Sequence, residues 1–191
     1  MNTFDPKTHS YYISGSPVPS TTQVIKEAGL LGDTSHYSPE AAQRGTLVHE
    51  ATAMYDRSEL DVETLDPQLM PYLNAWVKFC ADTGMEPVII EQQLYTSDYR
   101  FAGTIDRAWP AQSGKHLVVC DIKTGALPVW LPLQLGGYSL LCNALEGMGV
   151  ELRDDGTYRA QSYGPKEIIE ARKVFLAALT VTHWKRSNIR G

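Results

Sequence analysis

Apolar residues recur at intervals of three and four in several segments of this chain, which is the spacing of an amphipathic helix. Ser20 and Gln23 have the spacing of a capping box, and Ser38 precedes Pro39 in the manner of an N-cap. The fourth helical segment is expected to close at Gly147. The predicted helices cover about 20–29, 38–57, 69–84, 131–146 and 165–188.

Between the third and fourth helices the apolar period changes to two, which is typical of strands. Strands are expected at 87–95, 100–109 and 116–123, and their short connections predict an antiparallel meander. A hairpin is expected over 150–163, whereas residues 1–19 look irregular or hairpin-like. This order of elements predicts an α/β fold with a central mixed β-sheet flanked by helices.

Composition is that of a globular protein, with 43% hydrophobic and 20% charged residues among 191. This length suits one domain. No stretch is long and apolar enough for a membrane helix, and no secretory signal is recognisable, so a cytoplasmic location is expected. The three cysteines (Cys80, Cys120 and Cys142) are far apart, which predicts buried free thiols and no iron–sulfur cluster.

The net charge of −5 is unevenly distributed along the chain. The last 26 residues carry +4 and the remainder carries −9. This basic helix can be an ordinary solvated surface, or it can steer DNA towards the protein. Its six basic residues are Lys166, Arg172, Lys173, Lys185, Arg186 and Arg190.

The third predicted strand ends in Asp121-Ile122-Lys123. Alternation along the strand places Asp121 and Lys123 on the same face. A carboxylate that holds a divalent cation beside an ammonium that orients water is a hydrolytic arrangement. An ion pair at a strand end explains the pattern equally well, and Asp5-Pro6-Lys7 shows how easily it arises by chance.

The preceding strand carries Gly103-Thr104-Ile105-Asp106. A neighbouring antiparallel strand can bring Asp106 close to Asp121, and two such carboxylates repel unless a cation lies between them. A solvated aspartate at the end of a strand is the simpler interpretation of Asp106 alone.

Two helices add further polar residues. His49 follows Gly45 by one helical turn, and a glycine inside a helix suggests a close approach. Position 53 is alanine, which excludes the His-Glu-x-x-His zinc motif. Gln134 and Tyr138 share a helical face.

Taken in order, these four segments resemble the RecB-type branch of the PD-(D/E)XK nucleases, including small phage-encoded exonucleases. The resemblance extends over about 38–146. It implies a restriction-endonuclease-like core over about 38–163, followed by the basic helix 165–188, within one nuclease domain spanning 1–191.

The resemblance also implies a role for each group of residues. The metal ligands for Mg²⁺ or Mn²⁺ would be His49, Asp106, Asp121 and the carbonyl of Ile122. The catalytic residues would be Lys123, Asp121, Asp106 and, in an outer-shell role, Glu91. The DNA contacts would be Gln134, Tyr138, Arg44 and Thr124.

The implied activity is hydrolysis of DNA by a metal-activated water, most simply as an exonuclease in phage DNA recombination, repair or degradation. A nicking or structure-selective endonuclease and a catalytically inactive DNA-binding or assembly protein remain alternatives. The expected partners are DNA, a further copy of the chain or a recombination protein, with no membrane. A phage-encoded protein would work in the host cytoplasm.

Overall fold

The computed structural model of the protein describes residues 1–32 and 38–189. Arg190, which contributes to the basic C-terminal charge, lies outside the described residues. In chain order the elements are β1 (Thr3–Asp5), β2 (Ser10–Ile13), β3 (Ser16–Val18), α1 (Thr21–Glu27), α2 (Pro39–Asp56), a 3-10 helix (Val62–Thr64), α3 (Met70–Thr83), β4 (Ile89–Thr96), β5 (Phe101–Pro110), β6 (Leu117–Lys123), α4 (Leu131–Cys142), β7 (Ala144–Leu152), β8 (Tyr158–Tyr163) and α5 (Pro165–Asn188).

The main sheet has five strands in the order β4-β5-β6-β7-β8. Neighbouring strands are antiparallel except β6 and β7, which are parallel. A parallel pair needs a crossover connection, and α4 supplies it. The predicted α/β class with a mixed sheet is therefore confirmed, as are the β4-β5-β6 meander and the β7-β8 hairpin.

Helices cover both faces of this sheet. On one face, α4 and α5 pack through Leu131 and Ile168 against Val119 of β6. On the other face, Trp76 of α3 packs with Ile122 of β6. The alternation along β6 therefore directs Asp121 and Lys123 towards the side covered by α4.

Helix α4 is shorter than its predicted range of 131–146. It ends at Cys142, and Asn143 adopts a left-handed conformation with φ 54°. The chain then enters β7, because pairing with β6 satisfies the backbone that a longer helix would otherwise bond internally. Gly147 does not close a helix. It lies inside β7, where an added Cβ would be 2.8 Å from the Ile168 side chain.

The N-terminal residues form more structure than the sequence predicted. Strands β1, β2 and β3 make a three-stranded antiparallel sheet. Its apolar residues Tyr11, Ile13 and Val18 pack on Ala102 of β5. Ser20 then bridges to Ala102, and the predicted capping box opens α1 at that point. The small sheet is thus attached to the strand that carries Asp106.

Several basic residues of α5 form hydrogen bonds with other parts of the protein. Arg172 donates to Ser139 Oγ at 2.7 Å, and Lys185 donates to the Glu27 carbonyl at 2.6 Å. Arg186 donates from Nε to the Glu27 carboxylate at 2.9 Å. These contacts attach α5 to α1 and α4, so they favour a structural role for this part of the basic helix over the steering of DNA.

The three cysteines are free thiols, but only Cys120 is buried as predicted. Cys120 is buried, whereas Cys80 and Cys142 are half-buried. Burial raises the pKa of Cys80 to about 12, so this thiol stays protonated at neutral pH. Among the described helices, none combines the length and apolar character needed to cross a membrane.

The contact between α4 and α5 depends on Gly136, where an added Cβ would lie 2.8 Å from the backbone carbon of Ala171. Gly136→Ala is expected to lower the free energy of unfolding by about 1–3 kcal/mol, because a backbone cannot rotate away from the methyl group. Urea unfolding followed by tryptophan fluorescence measures this change.

Gly125→Ala is the matched control, because an added Cβ at Gly125 meets nothing within 4 Å among the described residues. Equal unfolding midpoints for the two variants would contradict the proposed tight packing at Gly136.

Candidate active site

Strands β5 and β6 bring Asp106 and Asp121 side by side. Their antiparallel register sets Arg107 opposite Cys120, so the adjacent pair is Asp106 and Asp121. Both aspartates are buried, with 6% and 0% exposure. The Ile122 N–H donates to Asp106 Oδ2 at 2.7 Å. This is a pair of carboxyl groups with little access to water.

Asp121 has an incompletely satisfied carboxylate. Lys123 Nζ lies 2.6 Å from Asp121 Oδ2 as an ion pair. Among the described residues, no hydrogen-bond donor reaches Asp121 Oδ1. Burial raises the pKa of Asp121 to about 6; the charge of Lys123 opposes this rise and the charge of Asp106 adds to it. A buried carboxylate oxygen without a hydrogen-bond donor can act as a ligand for a cation.

His49 approaches the carboxyl pair from α2. Its Nδ1 lies 3.1 Å from Glu91 Oε1 and 3.7 Å from Asp106 Oδ2, and its Nε2 lies 3.0 Å from the Ile122 carbonyl oxygen. Burial disfavours the charged imidazole, but the charges of Asp106 and Glu91 outweigh this cost and raise the pKa of His49 to about 9. In the absence of a cation, both ring nitrogens therefore carry protons and donate.

Glu91 occupies a strained position. It lies within β4, yet its φ is 44°, a left-handed value that costs a non-glycine residue on the order of 1–3 kcal/mol. Its Oε1 is shared between His49 Nδ1 and Arg107 Nη1, each at 3.1 Å. The unusual backbone thus turns the carboxylate towards the histidine.

Arg107 supports this arrangement from the opposite face of β5. Its fully buried guanidinium donates to Asp56 Oδ2 at 2.5 Å and to Thr52 Oγ1 at 3.0 Å. Asp56 also accepts from Trp76 Nε1 at 2.9 Å. Our sequence reasoning missed Arg107, Asp56 and Thr52. The available signal was an arginine in the middle of an apolar strand, since such a buried charge needs a carboxylate partner.

Gln134 and Tyr138 are connected to Lys123. Lys123 Nζ donates to Gln134 Oε1 at 3.4 Å, and Gln134 Nε2 donates to the Tyr138 hydroxyl at 2.7 Å. Both α4 residues are buried, with 4% and 6% exposure. Gln134 therefore contacts the Lys123 ammonium from α4, a contact that the sequence did not predict. Of the two, Tyr138 also lines the open cleft beside His49.

The other two predicted DNA contacts, Arg44 and Thr124, lie near Tyr72 and Gly45. The Arg44 guanidinium carbon lies 5.9 Å from the centre of the Tyr72 ring, in a cation–π contact. Thr124 follows β6 and would be 3.7 Å from a Cβ added to Gly45, which is an ordinary contact. The described residues therefore do not themselves require glycine at position 45. Gly45 lines the same open cleft as His49.

The carboxylate and carbonyl oxygens of this site suit a hard divalent cation, which prefers such ligands. His49, Glu91 and Asp106 offer ligand atoms that lie within 4.8 Å of one another, and Asp121 is not within that distance of all three. However, Glu91 Oε1 already accepts from two donors, whereas Asp121 Oδ1 accepts from none among the described residues. Asp121 Oδ1 is therefore a further candidate ligand beside these three residues.

Comparisons with known proteins give a distant resemblance. Neither a family model nor a curated protein matches the chain. Among solved structures, it resembles LHK-Exo in complex with dAMP (17% identity, TM-score 0.43, covering 89% of this chain and 92% of that chain). It also resembles the alkaline exonuclease LHK-Exo from Laribacter hongkongensis (12%, 0.40, 88% and 91%) and a phage-related exonuclease from Haemophilus somnus 129PT (10%, 0.43, 91% and 96%). These neighbours are exonucleases that share 10–17% identity with this chain.

The burial of Asp121 predicts opposite effects on stability and on metal binding. A folded-state pKa near 6, above the ordinary 3.8, means that this group stabilises the fold below pH 3.8 and loses that contribution as the pH rises through 6. At pH 8, without metal, Asp121→Asn is expected to raise the free energy of unfolding by on the order of 1–3 kcal/mol. The same change should remove Mn²⁺ binding in calorimetry.

Asp56→Asn is the matched control, since Asp56 is also buried but accepts from Arg107 and Trp76. It should lower stability at pH 8 by about 3–5 kcal/mol, because it removes the nearer of the two carboxylates that pair with the buried guanidinium. If both variants lose stability, the carboxylate of Asp121 is not the destabilising group that we infer.

Proposed function

We propose that the chain is a divalent-metal-dependent nuclease that hydrolyses phosphodiester bonds in DNA. One observation carries this proposal: the buried carboxyl pair, Asp106 and Asp121, includes an oxygen, Asp121 Oδ1, that no hydrogen-bond donor among the described residues reaches, and it lies beside Lys123. Structural roles rarely retain such an arrangement, because a buried carboxylate oxygen without a hydrogen-bond donor destabilises the fold. A hydrolase needs it to hold a cation next to a group that can orient water.

The residues that would hold the ion are Asp106, Asp121, the Ile122 carbonyl and His49. When bound, Mg²⁺ or Mn²⁺ would supply Lewis-acid stabilisation of the phosphate and would acidify a bound water. His49 must give up its Nε2 proton to bind a metal. The Nε2 atom already faces the Ile122 carbonyl, so the ring needs no large reorientation.

Glu91 would then act through His49. It accepts from His49 Nδ1, and a carboxylate in this position fixes the ring and leaves the other nitrogen for the metal. Arg107 in turn holds Glu91. We therefore assign Glu91 to positioning and not to direct coordination, in line with the outer-shell role inferred from the sequence.

Lys123 is our candidate for the group that acts on the reacting atoms. Its ammonium can orient the attacking water and offset the charge that develops on the phosphate. Gln134 supports this role, because it contacts Nζ on the side of α4. Tyr138, Arg44 and Thr124 are our candidates for contacts to the DNA backbone.

The finer features of the proposal follow the resemblance to PD-(D/E)XK nucleases. We infer one nuclease domain over 1–191 with a restriction-endonuclease-like core, exonuclease activity with Mg²⁺, and a role in phage DNA recombination or repair. A partner protein or further copies of the chain, in the cytoplasm of the host cell, would belong to that role.

Lys123→Ala is expected to reduce Mg²⁺-dependent cleavage of end-labelled linear DNA by about 100-fold or more, because one charge-stabilising donor is lost. Thermal unfolding should show that the variant folds. Lys173→Ala is the matched control, since this exposed lysine pairs only with Glu170 among the described residues and should retain full activity. EDTA should stop cleavage by the wild-type protein.

Two outcomes would change the proposal. Cleavage that persists in Lys123→Ala would remove that lysine from catalysis. A wild-type protein that binds DNA but cleaves none with Mg²⁺ or Mn²⁺ would instead be an inactive DNA-binding protein. Closed circular DNA distinguishes the nuclease types, because an endonuclease cuts it and an exonuclease does not.

A further inference from the structure

The candidate metal site opens into a cleft that is also lined by aromatic side chains. The cleft has a volume of about 750 Å³, within the range of pockets that enclose a small organic ligand. Its lining includes His49, Glu91 and Asp106 and also Phe4, His9 and Tyr11 of the N-terminal sheet. Aromatic side chains from a separate small sheet thus border the same space as the candidate metal ligands.

The aromatic group is attached to the strand that carries Asp106. The Tyr11 hydroxyl lies 2.7 Å from Thr104 Oγ1. Thr104 is two residues before Asp106 on the same face of β5, which is about 7 Å along a strand. The aromatic side chains are therefore held at a short and fixed spacing from the carboxyl pair.

Contacts within the N-terminal sheet and its turn hold these aromatic side chains together. The Phe4 ring contacts the His9 ring edge-on at 5.1 Å and the Tyr11 ring at 4.8 Å. The turn that presents His9 is closed by Asp5, which accepts from the Lys7 N–H at 2.9 Å and from Thr8 Oγ1 at 2.8 Å. His9 itself has a left-handed φ of 49° and is exposed.

The remaining lining suits a phosphate backbone. Thr22 and Thr46 are exposed residues of the lining, although the Thr46 hydroxyl donates to the Ala42 carbonyl. Arg57 adds a positive charge, and one of its nitrogens donates to the Ile90 carbonyl. Hydroxyl and guanidinium groups are common contacts to phosphate oxygens, and they carry no base preference. Aromatic faces, in contrast, bind bases, and they can do so only when the base is unstacked from its neighbours.

We propose that this cleft binds an unpaired nucleotide of a DNA strand, with its base against His9 and Phe4 and its phosphate near His49 and Asp106. The inference rests on the proposed nuclease function and narrows its substrate to a strand that is single-stranded at the site. A base inside a duplex is stacked on both sides and exposes only its edges in the grooves, so it cannot present a face to these rings.

The test measures fluorescence anisotropy of a labelled oligothymidylate and of a blunt duplex with Mg²⁺. It uses the full chain with Lys123→Ala as background, so that the probes stay intact. His9→Ala should weaken binding of the oligothymidylate by about 5- to 100-fold, the effect of losing one stacked base, and should leave duplex binding unchanged. His9→Phe should retain the affinity, because a flat ring remains.

His183→Ala is the matched control, as this half-buried histidine of α5 contacts the Tyr99 carbonyl and is not part of the cleft lining. Three results would overturn the subsite: unchanged binding in His9→Ala, equal losses in His9→Ala and His9→Phe, or equal losses for both probes. Cleavage by the wild-type protein decides the nuclease proposal separately. If the wild-type protein cuts DNA while His9→Ala binds oligothymidylate normally, only the subsite proposal is contradicted. If oligothymidylate binding needs His9 but the wild-type protein cuts no DNA, only the nuclease proposal is contradicted.

Discussion

The burial of two carboxyl groups on neighbouring strands is the constraint on which this structure depends. Asp106 and Asp121 lie opposite one another in β5 and β6, with almost no access to water. Each loses hydration, and their charges repel. The protein compensates in part with the Ile122 N–H, the Lys123 ammonium and a protonated His49. Within the part of the chain that the structure describes, no donor reaches Asp121 Oδ1, and this makes a cation site chemically reasonable there.

A set of ion pairs holds His49 in place beside the carboxyl pair. Asp56, Arg107, Glu91 and His49 form a continuous chain of contacts from the end of α2 across β5 and β4 to the carboxyl pair. Because Arg107 is fully buried, its position is set by its partners and not by solvent. The left-handed conformation of Glu91 fits this account, since strain of this kind persists where surrounding contacts determine it. The histidine therefore approaches the site from a helix whose distance from the sheet is fixed by buried ion pairs.

The sequence predicted the parts of the molecule that depend on local chemistry. The capping box at Ser20, the Ser38 N-cap and the strand alternation that pairs Asp121 with Lys123 are all decided within a few residues. The end of α4 was predicted wrongly because parallel pairing of β7 with β6, a long-range interaction, outweighs the helical pattern after Cys142. The Arg107 contacts and the turn of Glu91 join residues far apart in the chain, so no local pattern reports them.

The distribution of charge bears on how such a protein could hold DNA. Non-specific affinity for DNA comes mostly from neutralised phosphates, and this chain carries a net charge of −5. On α5, Arg172, Lys185 and Arg186 already donate to Ser139 and Glu27, which leaves them less able to serve phosphates. Under the proposed function, groups near the carboxyl pair would contribute to the attraction to DNA, since a bound cation and Lys123 would offset the local negative charge there. Binding and catalysis would share the same few groups, which fits a protein that engages a strand at one site and not along an extended surface.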